Sequence, residues 1–315
     1  MPLDFSLHAE PLLARTTLDR AAHLRADRDA LEEGWSSALV LRVDRRGRFR
    51  TDHGPGGTRR LVLEPGFDLY EQPPRHALFL GRSADGRHVW ALGVDRVADS
   101  PDTLDLRHAA AELGEDDAAL AAEAVALLNW HREIVRERDP QHHHRKTLAG
   151  WAGEDPFHGD LEFPRTDPAV ICLVHDSHRQ VLLGRNPKWP DARFSVLAGF
   201  VEPGESLEQC VQREVEEEVG LRVHHVRYLG SQPWPFPRSL MVAFHALGDP
   251  DKPLVPEEDE IAEARWFDVD EVRDALEGVG DGQLVLPPSV SIARLMIESW
   301  VRAVTAVEGD TRDVL

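Results

Sequence analysis

Cysteine is nearly absent from this sequence of 315 residues. Only Cys172 and Cys210 occur, and both lie inside apolar patterns. A disulfide framework or a zinc site built on cysteine needs more of them, so both are excluded. The sequence also lacks any apolar run long enough for a signal peptide or a membrane span, and we therefore expect a cytoplasmic protein.

Positive charge is also scarce, because 36 lysines and arginines stand against 56 aspartates and glutamates, which gives a formal net charge of -20. A surface this acidic repels phosphate backbones, so the composition argues against binding along a stretch of DNA or RNA. An anionic substrate remains compatible with it if one pocket carries a metal ion or a few arginines. With 42% apolar and 29% charged residues, the chain is typical of a globular protein, and it is long enough for two domains.

Short apolar runs separated by turn signals predict a first domain of mixed helices and strands over residues 1–130. The strand candidates are SALVLRV, RLVLE, ALFLG and HVWALGV, with a hairpin turn at Asp85 and Gly86. An alanine-rich helical pattern follows within residues 102–138. Residues 131–167 form a connector in which proline, glycine, histidine and aspartate break this pattern.

Residues 168–315 are predicted to form a second domain. The runs AVICLV, QVLLGR, FSVLAGF, SLMVAFHAL and ARWF are strand candidates, while residues 206–219 and 289–307 have helical spacing. The fragments LFLGRS and VLLGRN occur one in each half, which suggests that both halves share an ancestral unit.

The segment GFVEPGESLEQCVQREVEEEVGL, residues 199–221, holds seven glutamates. On a helix that turns by about 100° per residue, one side forms an apolar stripe of Leu207, Cys210, Val211 and Val215. Glu214 and Glu218 lie in line with this stripe, and Glu217 stands at its edge. Like charges held against a core repel each other and lose hydration. The alternative, a run of glutamates on the solvated surface, conflicts with the helical phase, which turns Glu214 and Glu218 toward the core. A shared Mg²⁺ or Mn²⁺ ion resolves the conflict, because both ions prefer carboxylate oxygens.

The residues before the glutamate helix favour the same interpretation. Gly199 and Gly204 allow the loop to pass close to a ligand, because glycine has no Cβ. Ser206 is a suitable N-cap for the helix. Glu205 can pair with Arg213 and brace the loop against the helix, which is a structural role.

This segment resembles the Nudix box, G-x5-E-x7-R-E-U-x-E-E-x-G-U with U apolar. The matching residues are Gly199, Glu205, Arg213, Glu214, Val215, Glu217, Glu218, Gly220 and Leu221. The resemblance implies an α+β fold: a Nudix αβα sandwich preceded by a smaller N-terminal α/β domain of degenerate Nudix-like layout. It also implies hydrolysis of a nucleoside diphosphate linked to another group. Glu214 and Glu218 are then metal ligands, Glu217 is a further ligand or the base, and Glu217 and Glu218 are the catalytic pair.

Ten residues past the box, the segment SQPWPFPRSLM spans residues 231–241. Prolines at alternate positions deny the backbone regular ladder hydrogen bonds and fix an extended path. Such a segment can hold Trp234 and Phe236 at set positions, where their flat faces suit a nicotinamide or adenine ring. A rigid loop packed by buried aromatic rings is the alternative.

The same segment resembles the SQPWPFPxS signature of the NADH pyrophosphatase branch of the Nudix family. The resemblance implies that the dinucleotide site is lined by Gln232, Pro233, Trp234, Pro235, Phe236, Pro237, Arg238 and Ser239. By position relative to the family's motifs, further substrate contacts come from Phe163, Ala198, Ala293 and Arg107. Phe163 stands where an aromatic ring stacks on the base, and Glu260 matches a distal metal ligand.

The activity that this resemblance implies is metal-dependent hydrolysis of NAD(H) to NMN(H) and AMP, with Mg²⁺ or Mn²⁺ as cofactor, and removal of NAD caps from RNA 5′ ends. It also implies a homodimer, whereas no DNA or membrane partner is expected. One alternative is a Nudix hydrolase that prefers ADP-ribose or another dinucleotide, against which the QPWPFP segment argues. A nucleotide-sensing regulator that binds without cleaving is the other, and the intact carboxylate set argues against it.

The family usually carries a zinc ribbon between its domains, built on two C-x2-C pairs, but the connector of this chain contains no cysteine. Two D-P-x-H pairs stand in their place, and because aspartate and histidine can both bind zinc, Asp139, His142, Asp155 and His158 are the candidate ligands of an Asp2His2 site. Structural zinc sites overwhelmingly use cysteine and histidine. We therefore expect a zinc-ribbon-like connector without zinc, held by packing around Trp151 and Phe157.

Overall fold

The structure, a computed structural model, describes residues 3–137, 144–280 and 282–312, and the chain divides into two compact units. The N-terminal unit contains Leu12–Thr166 together with Pro233–Ser239. The C-terminal unit contains the segment up to Pro11, Asp167–Gln232 and the chain from Leu240 onward. Sequence reasoning assigned the first residues to the first domain and the WPFP segment to the last, whereas each groups here with the other unit.

Three small sheets and four helices make up the described part of the N-terminal unit. Its strands are β1 (Leu39–Val43), β2 (Arg48–His53), β3 (Arg59–Leu61), β4 (Glu64–Pro65), β5 (Ala77–Arg82), β6 (His88–Gly93), β7 (Thr103–Asp105), β8 (Arg145–Thr147), β9 (Ala152–Glu154) and β10 (Leu161–Glu162). Its helices are α1 (Arg28–Trp35), α2 (Gly66–Leu69), α3 (Leu106–Ala109) and α4 (Glu115–Glu137).

A four-stranded sheet in the order β4-β1-β6-β5 carries the core of this unit. Trp35 and Trp90 are buried there and meet edge-on at 5.3 Å between ring centroids. Helix α4, the alanine-rich helix predicted from the sequence, packs against β1, β5 and β6. The predicted turn at Asp85 and Gly86 joins β5 to β6, with Gly86 at φ 86°. The remaining sheets, β3-β2-β7 and β10-β9-β8, have three strands each.

One six-stranded sheet and three helices make up the described part of the C-terminal unit. Its strands are β11 (Asp167–His175), β12 (Gln180–Arg185), β13 (Leu197–Phe200), β14 (His224–Trp234), β15 (Ser239–Leu247) and β16 (Glu263–Asp268). Its helices are α5 (Leu207–Val219), α6 (Val269–Glu277) and α7 (Ile292–Arg312). Across the described ranges of both units, every helix is too short or too polar to cross a membrane.

The central strand β11 faces apolar layers on both sides. The sheet order is β14-β15-β11-β12-β16, and β13 pairs with β11. Ile171 and Leu173 pack in a cluster with α6 and α7, whereas Val170 and Cys172 pack with α5. Successive side chains of a strand point to opposite faces, so one strand can serve two cores. The predicted αβα sandwich is confirmed.

The N-terminal segment lies within the C-terminal unit. Leu3, Phe5 and Leu7 are partly buried against the cluster formed with α6 and α7. The backbone N–H of His8 donates to Ser299 Oγ of α7 at 3.1 Å. Apolar side chains at every second position therefore explain why this segment groups with the C-terminal unit.

A buried pair of histidines lies beside the same segment. The backbone N–H of Ser177 donates to His175 Nδ1 at 3.1 Å, so the proton of His175 is on Nε2, which donates to His245 Nδ1 at 3.0 Å. His245 Nε2 then donates to Asp4 Oδ1 at 3.1 Å. Burial lowers the pKa of His175 to about 3 and also lowers the pKa of His245, so both rings are neutral.

The structure differs from the sequence expectations in several places. The elements without a predicted counterpart include strands β2, β8, β9, β10 and β14 and helices α1 and α6. Strand β14 also continues through Pro233, although the prolines were expected to prevent ladder hydrogen bonds; β14 is an edge strand, where a proline nitrogen can face away from its neighbour. In the connector, Trp151 Nε1 donates to Phe79 O at 2.6 Å, but Phe157 is 64% exposed, so packing around Phe157 is wrong.

The neutral histidine pair predicts a loss of stability in acid. The pKa of His175 is about 3 in the folded unit and about 6.5 in an unfolded chain, so the unfolded state takes up the proton first as the pH falls. The contribution of His175 to the free energy of unfolding is complete above about pH 7 and falls by about 1.4 kcal/mol per pH unit between about pH 6.5 and 4. Urea titrations followed by tryptophan fluorescence measure this dependence.

The variant His175→Gln isolates this contribution from other titrating groups. Burial of Glu218 raises its pKa to about 8, which gives an opposite slope that wild type and variant share. We expect the slope of the variant to be smaller by about 1.4 kcal/mol per pH unit. The exposed His224→Gln serves as control and keeps the wild-type slope. Equal slopes in all three proteins contradict a neutral buried pair.

Candidate active site

Helix α5 carries the glutamate-rich segment and begins where its N-cap predicts. The N–H of Gln209 donates to Ser206 Oγ at 3.2 Å, and the N–H of Ser206 donates to Gln209 Oε1 at 2.8 Å, which completes a capping box. Gly220, at φ 70°, ends the helix. The buried stripe consists of Cys210, Val211, Val215 and Val219.

Glu218 is the buried carboxyl of this helix. It is 6% exposed, and its Oε2 atom has no hydrogen-bond partner in the described part of the chain. Burial, with smaller contributions from the charges of Glu214 and Glu260, raises the pKa of Glu218 to about 8, although a hydrogen bond from the N–H of Ala198 opposes the shift. Ionising this side chain therefore requires a positive charge nearby.

Glu214 lies one turn before Glu218 and against the backbone of strand β13. Its side chain is 12% exposed. Burial raises the pKa of Glu214, with smaller contributions from Glu217 and Glu260, although Arg213 opposes the shift. A Cβ atom added to Gly199 would lie 1.9 Å from the Glu214 carboxyl carbon. Glycine at position 199 is therefore what lets this carboxylate lie against the strand.

Glu260 reaches the same place through a loop bound to the end of α5. The N–H groups of Val255 and Glu257 donate to the carbonyl oxygens of Val219 and Glu218 at 2.8 and 3.0 Å. The N–H of Glu260 then donates to Glu257 O at 3.0 Å. These bonds fix the loop to the helix, which explains why Glu260 raises the pKa of both Glu214 and Glu218.

Arg213 braces the loop against the helix, as predicted. Its Nε and Nη2 atoms lie 2.6 and 2.9 Å from the two carboxylate oxygens of Glu205, and these bonds lower the pKa of Glu205 to about 2. Nη2 also donates to Phe200 O at 2.9 Å. Nη1 lies 2.9 Å from Glu214 and 2.8 Å from Glu217. The arginine thus positions carboxylates on both sides of the loop.

Glu217 differs from its two neighbours because its side chain is 61% exposed. The helical phase predicted Glu214 and Glu218 in line with the apolar stripe and Glu217 at its edge, all near one shared ion; the structure buries the side chain of Glu218, nearly buries that of Glu214 and exposes that of Glu217. The ion pair with Arg213 accounts for the outward direction. The assignment of Glu217 as a ligand or base stays a prediction.

The carboxylates fit a hard divalent ion by their chemistry. Glu218 has a buried oxygen without a partner among the described residues. The charges of Glu214 and Glu260 raise the pKa of Glu218, and the charge of Glu260 also raises the pKa of Glu214, so a cation bound among them would relieve this repulsion. Within residues 3–137, 144–280 and 282–312, no group of three or more His, Cys, Asp or Glu side chains already has the arrangement of a metal site. The side chains are therefore near one another without sharing one coordination geometry.

Residues Pro233–Ser239, called the aromatic segment below, belong to the N-terminal unit and carry two aromatic rings. Trp234 and Phe236 meet edge-on at 5.0 Å. The guanidinium of Arg107 lies 4.1 Å from the Phe236 ring centroid and 6.0 Å from that of Trp234. Asn129 Nδ2 donates to Pro235 O at 3.3 Å, and Arg238 forms an ion pair with Glu133. The structure thus places Arg107 against this segment, and its role toward a substrate stays a prediction.

The other predicted substrate contacts are distributed between the two units. In the C-terminal unit, Gln232 is fully buried and its Nε2 donates to Val290 O at 2.8 Å, and Ala293 is buried in the core. Ala198 is exposed on β13, and Ser239 is buried. Phe163 is 55% exposed in the N-terminal unit. Their roles toward a substrate stay predictions.

The second D-P-x-H pair of the connector forms a local turn. Asp155 Oδ1 accepts hydrogen bonds from the N–H groups of Phe157 and His158 at 2.8 and 2.9 Å, which lower the pKa of Asp155. Asp155 thus has a structural role of its own. Asp139 and His142 lie outside the described residues.

Sequence reasoning missed the residues that hold the aromatic segment. Asn129 and Glu133 come from α4, and each bonds to the segment across more than a hundred positions of the chain. Their spacing of four residues on an otherwise alanine-rich helix is the only sequence signal, because such residues share a helix face.

Comparison with known proteins gives two family matches. The Nudix domain family matches residues 165–285, and the NADH pyrophosphatase-like rudimentary Nudix domain family matches residues 9–130. Both agree with the resemblance drawn from the residues. The two matches together take in most of the chain on either side of the connector.

The curated relatives include proteins of similar length. The chain is 48% identical over 312 residues to the NAD-capped RNA hydrolase NudC of Mycobacterium bovis, which covers 95% of this chain and 97% of that protein. The protein of the same name from Mycobacterium tuberculosis gives the same figures. The NAD-capped RNA hydrolase NUDT12 of Homo sapiens is 35% identical over 239 residues, covering 69% of this chain and 51% of that protein.

Substituting Gly199→Ala tests whether the position of the Glu214 carboxylate matters. The added methyl meets only the end of a flexible side chain, so the fold should persist while the carboxylate moves. We expect turnover of NADH, the substrate that the resemblance implies, to fall about 100-fold, since misplacement by about 1 Å can cost that much.

Gly114→Ala is the matched control, because no atom lies within 4 Å of the added methyl. Its turnover should equal that of wild type, and because Gly114 is the N-cap of α4, where alanine is poorer than glycine, its thermal midpoint should fall slightly. Full activity of Gly199→Ala would show that Glu214 can move without consequence.

Proposed function

This chain belongs to the Nudix family of hydrolases, and on that premise we propose that it hydrolyses the diphosphate bond of NAD(H) to give NMN(H) and AMP. We propose further that it removes NAD caps from RNA 5′ ends, the activity for which its NudC and NUDT12 relatives are named. A match to the NADH pyrophosphatase-like domain family in the first half supports the dinucleotide substrate.

The observation that carries the proposal is the buried carboxyl of Glu218, close to two further glutamates. A carboxylate at 6% exposure, one oxygen of which has no partner in the described part of the chain, destabilises the fold unless a cation compensates it. Glu214, Glu218 and Glu260 would hold an Mg²⁺ or Mn²⁺ ion, with Glu217 as a further ligand if its side chain turns inward. When bound, such an ion neutralises the non-bridging phosphate oxygens and lowers the pKa of a bound water.

The chain's own residues supply positioning and proton transfer. In hydrolysis, the oxygen of water bonds to phosphorus, the bridging P–O bond breaks, and one proton leaves the attacking water. Glu217 is exposed and can accept that proton and release it to solvent. Arg213 holds Glu217 and Glu214 in place at 2.8 and 2.9 Å, so the base and a ligand share one anchor.

The aromatic segment supplies recognition of the dinucleotide. Trp234 and Phe236 can pack against a base, and Arg107 adds a positive charge for a phosphate. Asn129 and the ion pair of Arg238 with Glu133 hold this segment to α4. Because the segment is already ordered, binding the substrate costs less conformational entropy. We also propose a cytoplasmic homodimer.

Product analysis tests the proposed substrate. Purified protein with Mg²⁺ or Mn²⁺ should convert NADH to NMNH and AMP with a higher kcat/KM than it shows for ADP-ribose or diadenosine polyphosphates, and a chelator should abolish turnover. NAD-capped RNA should yield NMN and 5′-monophosphate RNA. A preference for ADP-ribose contradicts the substrate assignment, and binding of dinucleotides without any product points to a sensor instead.

Substituting Glu218→Gln tests the metal assignment. We expect kcat to fall more than about 100-fold, because loss of an outer partner of a ligand already costs about 10- to 100-fold. Without divalent ions the thermal midpoint should be at least that of wild type, since a buried ionisable group becomes neutral. Added Mn²⁺ should raise the midpoint of wild type more than that of the variant.

Glu208→Gln is the matched control, because it makes the same change at an exposed position of α5. It should keep wild-type turnover and the wild-type response to Mn²⁺. If Glu218→Gln behaves like this control, Glu218 does not hold the ion.

A further inference from the structure

The turn between β1 and β2 concentrates positive charge on a chain that is otherwise strongly acidic. The formal net charge is -20, yet residues 42–50 contain five arginines and a single aspartate. The turn itself consists of Asp44, Arg45, Arg46 and Gly47. A local cluster of positive charge on an acidic protein favours an anionic ligand at that place, because the negative surface elsewhere repels anions.

Asp44 makes this turn rigid. It is 1% exposed, and its Oδ1 accepts the N–H groups of Arg46 and Arg48 at 2.8 and 3.0 Å. Arg48 Nε donates to Asp44 Oδ2 at 2.9 Å, and Arg132 of α4 donates to Asp44 O at 2.7 Å. Gly47 adopts φ 76°, which closes the turn. The side chains of Arg45 and Arg46 are therefore presented from a fixed backbone.

A cavity of about 230 Å³ lies between this turn and the aromatic segment of the same unit. Its lining includes three arginines, Arg45, Arg46 and Arg107, together with Phe236. Asp105 is the single carboxylate of the lining, and it already accepts hydrogen bonds from the N–H and Nδ1 of His108. The volume is below that of a drug-sized pocket and suits a fragment such as a ribose phosphate.

The arginines that line this cavity are only weakly neutralised by carboxylates of the protein. Among the described residues, Arg46 and Arg107 have no carboxylate partner. Arg45 pairs with Asp95 at 2.7 Å, but the two side chains are 77% and 86% exposed. Ion pairs this exposed contribute little and can exchange for another anion. Guanidinium groups bind phosphate oxygens through paired N–H donors.

We propose that Arg45 and Arg46 bind the first phosphates of an RNA chain attached to the NAD cap. This inference rests on the proposed function. A capped RNA differs from free NAD(H) by the phosphodiester on the adenosine 3′ oxygen, and that group needs a positive site next to the dinucleotide-binding segment. The cavity meets this need because Phe236 lines it. The surrounding acidic surface confines the contact to the nucleotides nearest the cap.

Kinetic comparison of two substrates tests the inference. In the double variant Arg45→Ala/Arg46→Ala, kcat/KM for a short NAD-capped RNA should fall about five- to twentyfold, mainly through KM, because exposed charge contacts are individually weak. Turnover of NADH should remain within about twofold of wild type, since NADH lacks the 3′ phosphodiester that the proposal assigns to these two arginines. The variant Arg45→Lys/Arg46→Lys should recover most of the loss.

Salt dependence supplies a second readout that a structural defect would not change. The slope of log(kcat/KM) against log salt for capped RNA should become shallower by about 0.7 for each phosphate that the double variant leaves without an arginine. The control Arg28→Ala/Arg75→Ala removes the same charge from exposed positions of the same unit outside the cavity. It should leave both the rate and the slope unchanged. Equal losses on NADH and capped RNA, or equal losses in this control, overturn the inference.

A binding measurement separates this inference from the proposed activity. Fluorescence anisotropy with a labelled ten-nucleotide RNA carrying a 5′-monophosphate should show weaker binding to the double variant than to wild type, whether or not NADH is cleaved. If RNA binding depends on the arginines but no dinucleotide is hydrolysed, the proposed function fails while Arg45 and Arg46 are still shown to bind RNA phosphates. If RNA binds both proteins equally while polyglutamate distinguishes them, the surface serves an acidic protein and the inference is overturned.

Discussion

The structure depends on one constraint: the carboxyl of Glu218 is buried in the apolar side of α5, and none of the described residues gives it a positive partner of its own. Burying an ion costs several kcal/mol, and the nearby charges of Glu214 and Glu260 add to that cost. The features around it follow from this constraint. Gly199 leaves room for Glu214, and the bonds of Val255 and Glu257 to the end of the helix bring Glu260 close. A divalent ion explains why a fold would retain this arrangement.

Arg213 divides the glutamates of the helix into structural and chemical groups. Glu205 is bound through both of its oxygens, so it is a brace and not a ligand. Glu214 and Glu217 share the remaining donor, Nη1, and the two lie at different depths, one nearly buried and one exposed. One guanidinium therefore holds the loop, a ligand candidate and a base candidate in fixed relation. This explains how residues close together in sequence can have unlike roles.

Helical phase was sufficient to predict which glutamates are buried. Glu214 and Glu218 follow the apolar stripe of α5, and the 3.6-residue period places them inward without knowledge of the fold. The period placed Glu217 only at the edge of the stripe, and its ion pair with Arg213 decides that the side chain is exposed. The pairing of Glu205 with Arg213 was also predictable, since a loop residue and the facing helix residue have opposite charges.

Contacts between distant parts of the chain could not be predicted in the same way. The bonds of Asn129 and Glu133 to the aromatic segment join residues with no shared pattern. The N-terminal segment did carry a signal, because Leu3, Phe5 and Leu7 alternate with polar residues as in a half-buried strand. Prolines misled at β14, since an edge strand tolerates them. The net charge of the whole chain likewise gave no indication of the arginines between β1 and β2, because a net value does not show how charge is distributed over the surface.

Anomalous diffraction from crystals soaked in MnCl₂ tests the central claim most directly. A peak within about 2.5 Å of the carboxylate oxygens of Glu218 and Glu214 is the predicted result. Glu218 Oε2 should then have the partner that it lacks among the described residues. The account would be contradicted if, at an MnCl₂ concentration that supports turnover, Mn²⁺ bound strongly elsewhere in the protein. In that case Glu218 would remain buried with no ion bound to it.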